Sequence, residues 1–123
     1  MTDKEVLNAY ERTGGVLKGH FLLTSGRHSD TYMQSAKLFV HPEESAKIAA
    51  ALAEKLASYK PDMVVSPAVG GIILGYELAR ALGVTDIFAE RENGEMTFRR
   101  GFELAPGSRV VVAEDVVTTG GCV

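Results

Sequence analysis

Apolar residues change their spacing several times along this chain, and each change marks an element. Thr2-x-x-Glu5 is a capping-box pattern, after which Val6, Leu7 and Tyr10 fall on one helical face until Gly14-Gly15 stops the helix. From Val16 to Leu23 the residues are apolar and β-prone; Ser25-Gly26-Arg27-His28-Ser29 reads as a turn and Asp30 to Ser35 as a returning strand. Pro42, with Glu43 and Glu44 behind it, opens a helix whose apolar face carries Ile48, Leu52, Leu56 and Tyr59, with Lys55 and Lys60 toward its C-terminal end. Past Pro61 the texture differs. Met63-Val64-Val65 is a short buried-strand run, and Pro67-Ala68-Val69-Gly70-Gly71 leads into a second helix with an inner stripe of Leu74, Leu78, Ala81 and Leu82, ended by Gly83. Ile87-Phe88-Ala89 is the next strand, and Asn93-Gly94 is a hairpin signal that makes residues 91–100 a protruding flap. Pro106-Gly107 turns the chain into Val110-Val111-Val112-Ala113, an uninterrupted apolar run of the kind buried on both faces.

Strand, helix, strand, flap, strand predicts an α/β fold: a parallel sheet flanked by helices, with an N-terminal appendage over residues 1–40 and a core over residues 61–123. The 123 residues amount to a single domain, without repeat, linker or low-complexity stretch. At 46% hydrophobic and 24% charged, the composition is globular rather than disordered. Thirteen basic residues against sixteen acidic ones argue against a nucleic-acid binder, which would carry a basic excess. One cysteine excludes an intramolecular disulfide framework and suits a reducing compartment. No stretch approaches eighteen apolar residues and Met1 to Glu5 lack a signal peptide's apolar core, so a cytoplasmic protein without membrane contact is expected. The chain stops at Val123, just after a Gly-rich turn that would ordinarily deliver it into a helix. That abruptness predicts a C-terminal part beyond Val123, and a chain ending there is expected to fold poorly or to lack activity.

The chemistry-bearing segment is Val110 to Cys122. An apolar strand ends in Glu114-Asp115, followed by Val116-Val117 and then Thr118-Thr119-Gly120-Gly121. Ligands of parallel α/β sheets bind beyond the carboxyl ends of the strands, where these acids stand. Two carboxylates there can accept hydrogen bonds from vicinal hydroxyls or help hold a hydrated magnesium ion. Thr-Thr-Gly-Gly supplies hydroxyls and unobstructed N–H groups suited to a phosphate. Composition alone leaves an exposed acidic turn and a plain Gly loop equally open.

The order of these twelve residues, Val110 to Gly121, resembles the phosphoribosyl pyrophosphate signature of type I phosphoribosyltransferases. The resemblance implies that Glu114 and Asp115 address the ribose hydroxyls, that Thr118 to Cys122 wrap the 5′-phosphate with Val116 and Val117 also at phosphoribosyl pyrophosphate, and that Asp115 meets Mg²⁺ through substrate or water. Cys122 stands where the family pattern has a serine. A second segment, Gly19-His20-Phe21-Leu22-Leu23-Thr24-Ser25-Gly26-Arg27-His28-Ser29-Asp30-Thr31-Tyr32, is similar to the opening hood of orotate phosphoribosyltransferases. That similarity implies orotate contacts at Ser25, Gly26 and Tyr32, with Thr118 joining them from the signature loop. Thr24 stands where some relatives carry a lysine. Ser66-Pro67-Ala68-Val69-Gly70-Gly71-Ile72 resembles the pyrophosphate loop, with Val69 and Gly70 at the ligand, although taken alone the motif is more simply read as a structural strand-to-helix turn. In the family a mobile loop at the position of residues 91–102 crosses a dimer interface to cover pyrophosphate. Here its cations are Arg91, Arg99 and Arg100, of which Arg91, directly after the second strand, is the first choice as a catalytic residue beside Glu114 and Asp115. The family's catalytic lysine has no counterpart, and a solvated charged hairpin is the alternative reading.

His20, His28 and His41 lack metal-ligand spacing; His41 reads as a helix cap and His28 as an exposed residue of the hood turn. Taken together, the resemblances imply a homodimeric, Mg²⁺-dependent transfer of ribose 5-phosphate from phosphoribosyl pyrophosphate to orotate, in pyrimidine synthesis. A phosphoribosyltransferase for another base, and a non-catalytic or truncated protein of the same fold, remain open at this level.

Overall fold

A computed structural model describes residues 1–22 and 26–117. Helix α1 (Asp3–Arg12) leads into a hairpin of β1 (Val16–Leu22) and β2 (His28–Met33), then α2 (Ser35–Phe39) and α3 (Pro42–Leu56). The core continues with β3 (Met63–Pro67), α4 (Gly70–Leu82), β4 (Thr85–Glu92), β5 (Glu95–Phe98) and β6 (Val110–Val112). Its sheet has the order β5-β4-β3-β6. β4 and β6 both run parallel to β3, and β5 returns antiparallel along β4. The result is an α/β fold with a parallel core, flanking helices, an N-terminal hood and a flap hairpin.

Local chemistry sets these elements. The Thr2 hydroxyl accepts from the Glu5 N–H at 3.2 Å while the Glu5 carboxylate accepts from the Thr2 N–H at 3.4 Å, which completes the capping box of α1. Gly83 ends α4 in the left-handed conformation at φ +74. Asn93 and Gly94, at φ +53 and +82, make the two-residue turn whose twist matches the β4–β5 hairpin.

Two apolar clusters hold the layers together. Ala49 and Ala53 of α3 meet Leu78 and Ala79 of α4 over Val64 of β3 and Ala113 beyond β6. Ala9, Leu38, Phe39 and Leu74 join α1 and α2 to α4. Buried hydroxyls in this region are satisfied: Ser45 Oγ donates to Phe39 O at 2.7 Å, and the Tyr10 hydroxyl and Ser35 Oγ are 2.7 Å apart.

Several expectations are corrected here. The buried residue of α1 is Ala9, whereas Leu7 is half exposed. β2 begins at His28 and ends at Met33, and Ser35 opens α2, a single turn too short to show a period. Tyr59 is exposed because α3 ends at Leu56 and a 3₁₀ turn follows. Ala81 lies at nearly the same azimuth of α4 as Leu74, but α2 covers only the latter, so Leu74 is buried and Ala81 is not, while Ala79 is buried against α3. His41 occupies the N-cap of α3 without a side-chain cap bond. The largest correction concerns β6. Val111 packs toward the helices, whereas Val110 and Val112 point the other way and are 39% and 43% exposed, because among the described residues β6 pairs only with β3 and no helix covers that face of it.

Candidate active site

The three parallel strands point their carboxyl ends the same way. Ala68 N–H donates to Ala89 O at 2.7 Å, and Ala113 N–H donates to Val65 O at 2.9 Å. The loop into α4, the flap and the acidic pair therefore all leave from one carboxyl edge, the side on which such sheets bind ligands.

Close approach at this edge depends on glycine. A Cβ on Gly70 would stand 2.6 Å from Asp115 Oδ1, and one on Gly71 would stand 2.5 Å from Ala113 O and 3.3 Å from Glu114 Oε1. The N-terminal turn of α4 thus packs directly on both acids, whose negative charge suits the positive end of the helix. Val69, at the N-cap of α4, supplies no side-chain cap and is 82% exposed. Glu114 Oε1 accepts from the Asp115 N–H at 3.0 Å. Partial burial pushes the Glu114 carboxyl above its ordinary range, and the neighbouring Asp115 adds to this. One carboxylate therefore holds its charge less readily than an exposed one would, beside a second carboxylate that touches the helix.

The flap arginines have different engagements. Arg100 Nε and Nη2 reach Glu90 Oε2 and Oε1 at 3.1 and 3.4 Å, and its guanidinium lies 5.7 Å from the Phe88 ring centre. Phe88 in turn meets Phe102 edge-on at 5.1 Å. The Arg100 guanidinium holds the Glu90 carboxyl below its usual range. Arg91 Nη1 donates to Gly94 O at 2.9 Å, and Arg99 stands 4.0 Å from Glu92. In the hood, which is a separate two-stranded sheet, Tyr32 is 40% exposed with its ring 5.7 Å from that of Phe21, and Gly26 is exposed at φ +84. Ser25 and Thr118, Thr119, Gly120, Gly121 and Cys122 lie outside the described residues. Val116 and Val117 are exposed beside the acids.

One pair had no sequence signal except a glycine in the middle of a helix. Ser66 Oγ, fully buried, donates to Asp86 Oδ1 at 2.7 Å, and a Cβ on Gly75 would collide with that hydroxyl. Burial pushes the Asp86 carboxyl above its ordinary value, and the serine bond opposes the shift. The pair ties β3 to β4 beneath α4 and so helps fix the loop that follows Pro67.

Residues 34–123 match the family model of the phosphoribosyl transferase domain. The chain belongs to that family. It is 54% identical over all 123 residues to a curated orotate phosphoribosyltransferase of Caldanaerobacter subterraneus, and spans 65% of that relative's length. Among solved structures it resembles the orotate phosphoribosyltransferase of Mycobacterium tuberculosis in complex with inorganic phosphate, at a TM-score of 0.70 and 24% identity, over 96% of this chain and 67% of that one. It also resembles the adenine phosphoribosyltransferase of Leishmania donovani, at a TM-score of 0.68 and 18% identity, over 98% of this chain and 60% of that one. At these identities both likenesses are of fold, and a fold shared by enzymes for two bases does not select the base. Among the described residues no helix is long and apolar enough to cross a membrane.

Proposed function

We propose that this chain carries the phosphoribosyl pyrophosphate site and the hood of an orotate phosphoribosyltransferase, which forms orotidine 5′-monophosphate and pyrophosphate. The observation that carries the base assignment is the 54% identity to a curated orotate enzyme, which extends through the hood and across the whole chain. In this reading residues 1–40 form the hood and residues 61–123 the core, with the flap at 91–102. Glu114 and Asp115 receive the ribose hydroxyls at the carboxyl edge. Gly70 and the exposed Val69 leave room for pyrophosphate at the N-terminus of α4, where backbone N–H groups favour an anion. Val116 to Cys122 wrap the 5′-phosphate, and Ser25, Gly26, Tyr32 and Thr118 meet orotate.

The reaction needs no enzyme nucleophile. Orotate's ring nitrogen attacks the anomeric carbon as pyrophosphate leaves, so the protein's task is positioning and neutralisation of charge. Arg91 is the proposed flap contact to pyrophosphate, since its fork of donors matches phosphate oxygens. The donor set fits magnesium: carboxylate oxygens are hard ligands, and among the described residues no three His, Cys, Asp or Glu gather into a cage of their own. That suits an ion held by one or two carboxylates together with substrate oxygens, with Asp115 contributing through substrate or water. When bound, Mg²⁺ would offset negative charge on the pyrophosphate. A cytoplasmic homodimer exchanging the flap completes the reading.

The test is magnesium-dependent loss of orotate absorbance on adding phosphoribosyl pyrophosphate, with hypoxanthine and uracil in parallel and Asp115→Asn as control. Turnover of orotate and of neither other base, weakened by the substitution, supports the assignment. Turnover of another base instead would overturn the assignment.

A further inference from the structure

Two histidines in the hood, given no role so far, face each other across the hairpin. Pairing of β1 with β2 changes register between Lys18 and Phe21, so that Gly19 and His20 together oppose Asp30. Such a bulge turns a side chain away from its regular direction, and Gly19 meets it with φ +153, a conformation open to glycine. The redirected His20 ring stands 4.7 Å from the His28 ring, centre to centre, and His20 Nε2 lies 2.7 Å from His28 Nδ1. His28 pairs with Leu22, the last cross-strand pair before the hairpin tip. By strand alternation His28, Asp30 and Tyr32 share the exposed face of β2. This is the face on which Tyr32 would meet a base.

We infer that His20 and His28 are positioning residues of the hood, clamping the two strands at the tip through a ring-to-ring hydrogen bond and so fixing how the face bearing Tyr32 is presented to orotate. The inference rests on the proposed orotate reading for its catalytic consequence, but not for the clamp itself. The chemistry of the contact gives it a pH dependence. One nitrogen must donate and the other accept, so the bond exists only while at least one ring is neutral. With both rings protonated, two N–H groups and two positive charges face each other and the clamp opens. The charged groups around the pair are Asp30 opposite His20, Arg27 next to His28, and Lys18, whose Nζ donates to Thr31 Oγ1 at 3.1 Å. The principal contacts of β1 and β2 are with each other, so the hairpin's geometry depends on what joins its two strands.

The experiment compares the wild type with His20→Ala, His28→Ala, the double variant and His28→Asn, whose amide can replace one hydrogen bond. Orotate KM and kcat are measured between about pH 8 and pH 5.5, the range in which imidazole changes charge. Imidazole ¹⁵N spectra are recorded alongside. A clamp raises KM about fivefold in either alanine variant, the worth of one hydrogen bond, with kcat little changed and the double variant no worse than a single one. His28→Asn recovers part of the loss, and the rise of wild-type KM toward low pH is absent in the double variant. The spectra show one ring donating to the other. Equal KM values in all variants, or rings whose nitrogens titrate independently, would overturn the clamp. If the wild type turns over another base and not orotate, the base assignment fails, and the ring spectra alone decide whether the clamp exists.

Discussion

Gly70 and Gly71 are neighbours in the chain but meet different obstacles. A methyl group on Gly71 would press on the carbonyl of Ala113, which belongs to the backbone beyond β6 and cannot move without moving the strand. Gly71→Ala is therefore expected to destabilise by about 1–3 kcal/mol, seen as a lower melting temperature. On Gly70 the obstacle is the end of the Asp115 side chain, which can swing aside. Gly70→Ala should leave the melting temperature nearly unchanged while raising KM for phosphoribosyl pyrophosphate, because the displaced carboxylate is the proposed ribose ligand. Asp86 supplies a test by pH. Its folded-state pKa is raised by burial, so its contribution is fully present below the ordinary value of 3.8 and is lost as pH rises through the raised value. Asp86→Asn, which still accepts from Ser66, should melt higher than the wild type at pH 7, with an advantage that shrinks as pH falls through the raised value and is gone below 3.8. Glu114 and Asp115 were legible as candidates because their order before Thr118-Thr119-Gly120-Gly121 in the sequence is distinctive. Ser66 and Asp86 were not, since a bond between residues twenty positions apart leaves no local pattern.

Among the elements, α1, α3 and α4 were legible because their caps and stops are local chemistry: the Thr2 box, Pro42 at the first turn of α3 and Gly83 at the end of α4. The single turn of α2 was not, yet it carries the fully buried Leu38, which packs with Ala9 and Leu74. Leu38→Ala should cost about 2–5 kcal/mol in denaturant unfolding, despite the shortness of its helix. The flap shows the opposite case, an element legible from Asn93-Gly94 whose arginines do different work. Arg100 is tied to Glu90 and lies over Phe88 at the flap's base, which suits it to holding the hairpin rather than reaching for a ligand. Arg100→Ala is expected to speed amide exchange in β5 without lowering the melting temperature, as exposed ion pairs contribute little to global stability.

For the whole molecule, the informative feature is the uneven cover of the sheet. Helices α3 and α4 bury Val64, Val111 and Ala113 on one face, while Val110 and Val112 of the terminal strand lie open on the other. Val112→Thr keeps the branched side chain on the open face and should leave stability within about 0.5 kcal/mol of the wild type in denaturant unfolding. The same change at Val111 places a hydroxyl against the helices and should destabilise by about 1–3 kcal/mol.

The sequence by itself determined the α/β succession, the starts of α1 and α3, the stops of α1 and α4, the flap turn and the order of the acidic pair after its apolar strand. Each of these is encoded within a few residues, as a cap, a turn dipeptide, a period or an ordered motif. Only the tertiary structure decided which faces are covered, that Gly70 and Gly71 press against Asp115 and Ala113, that Ser66 reaches Asp86, and that a bulge at Gly19 brings His20 to His28. Those outcomes depend on which elements pack together, and packing joins residues whose separation along the chain carries no trace of their contact.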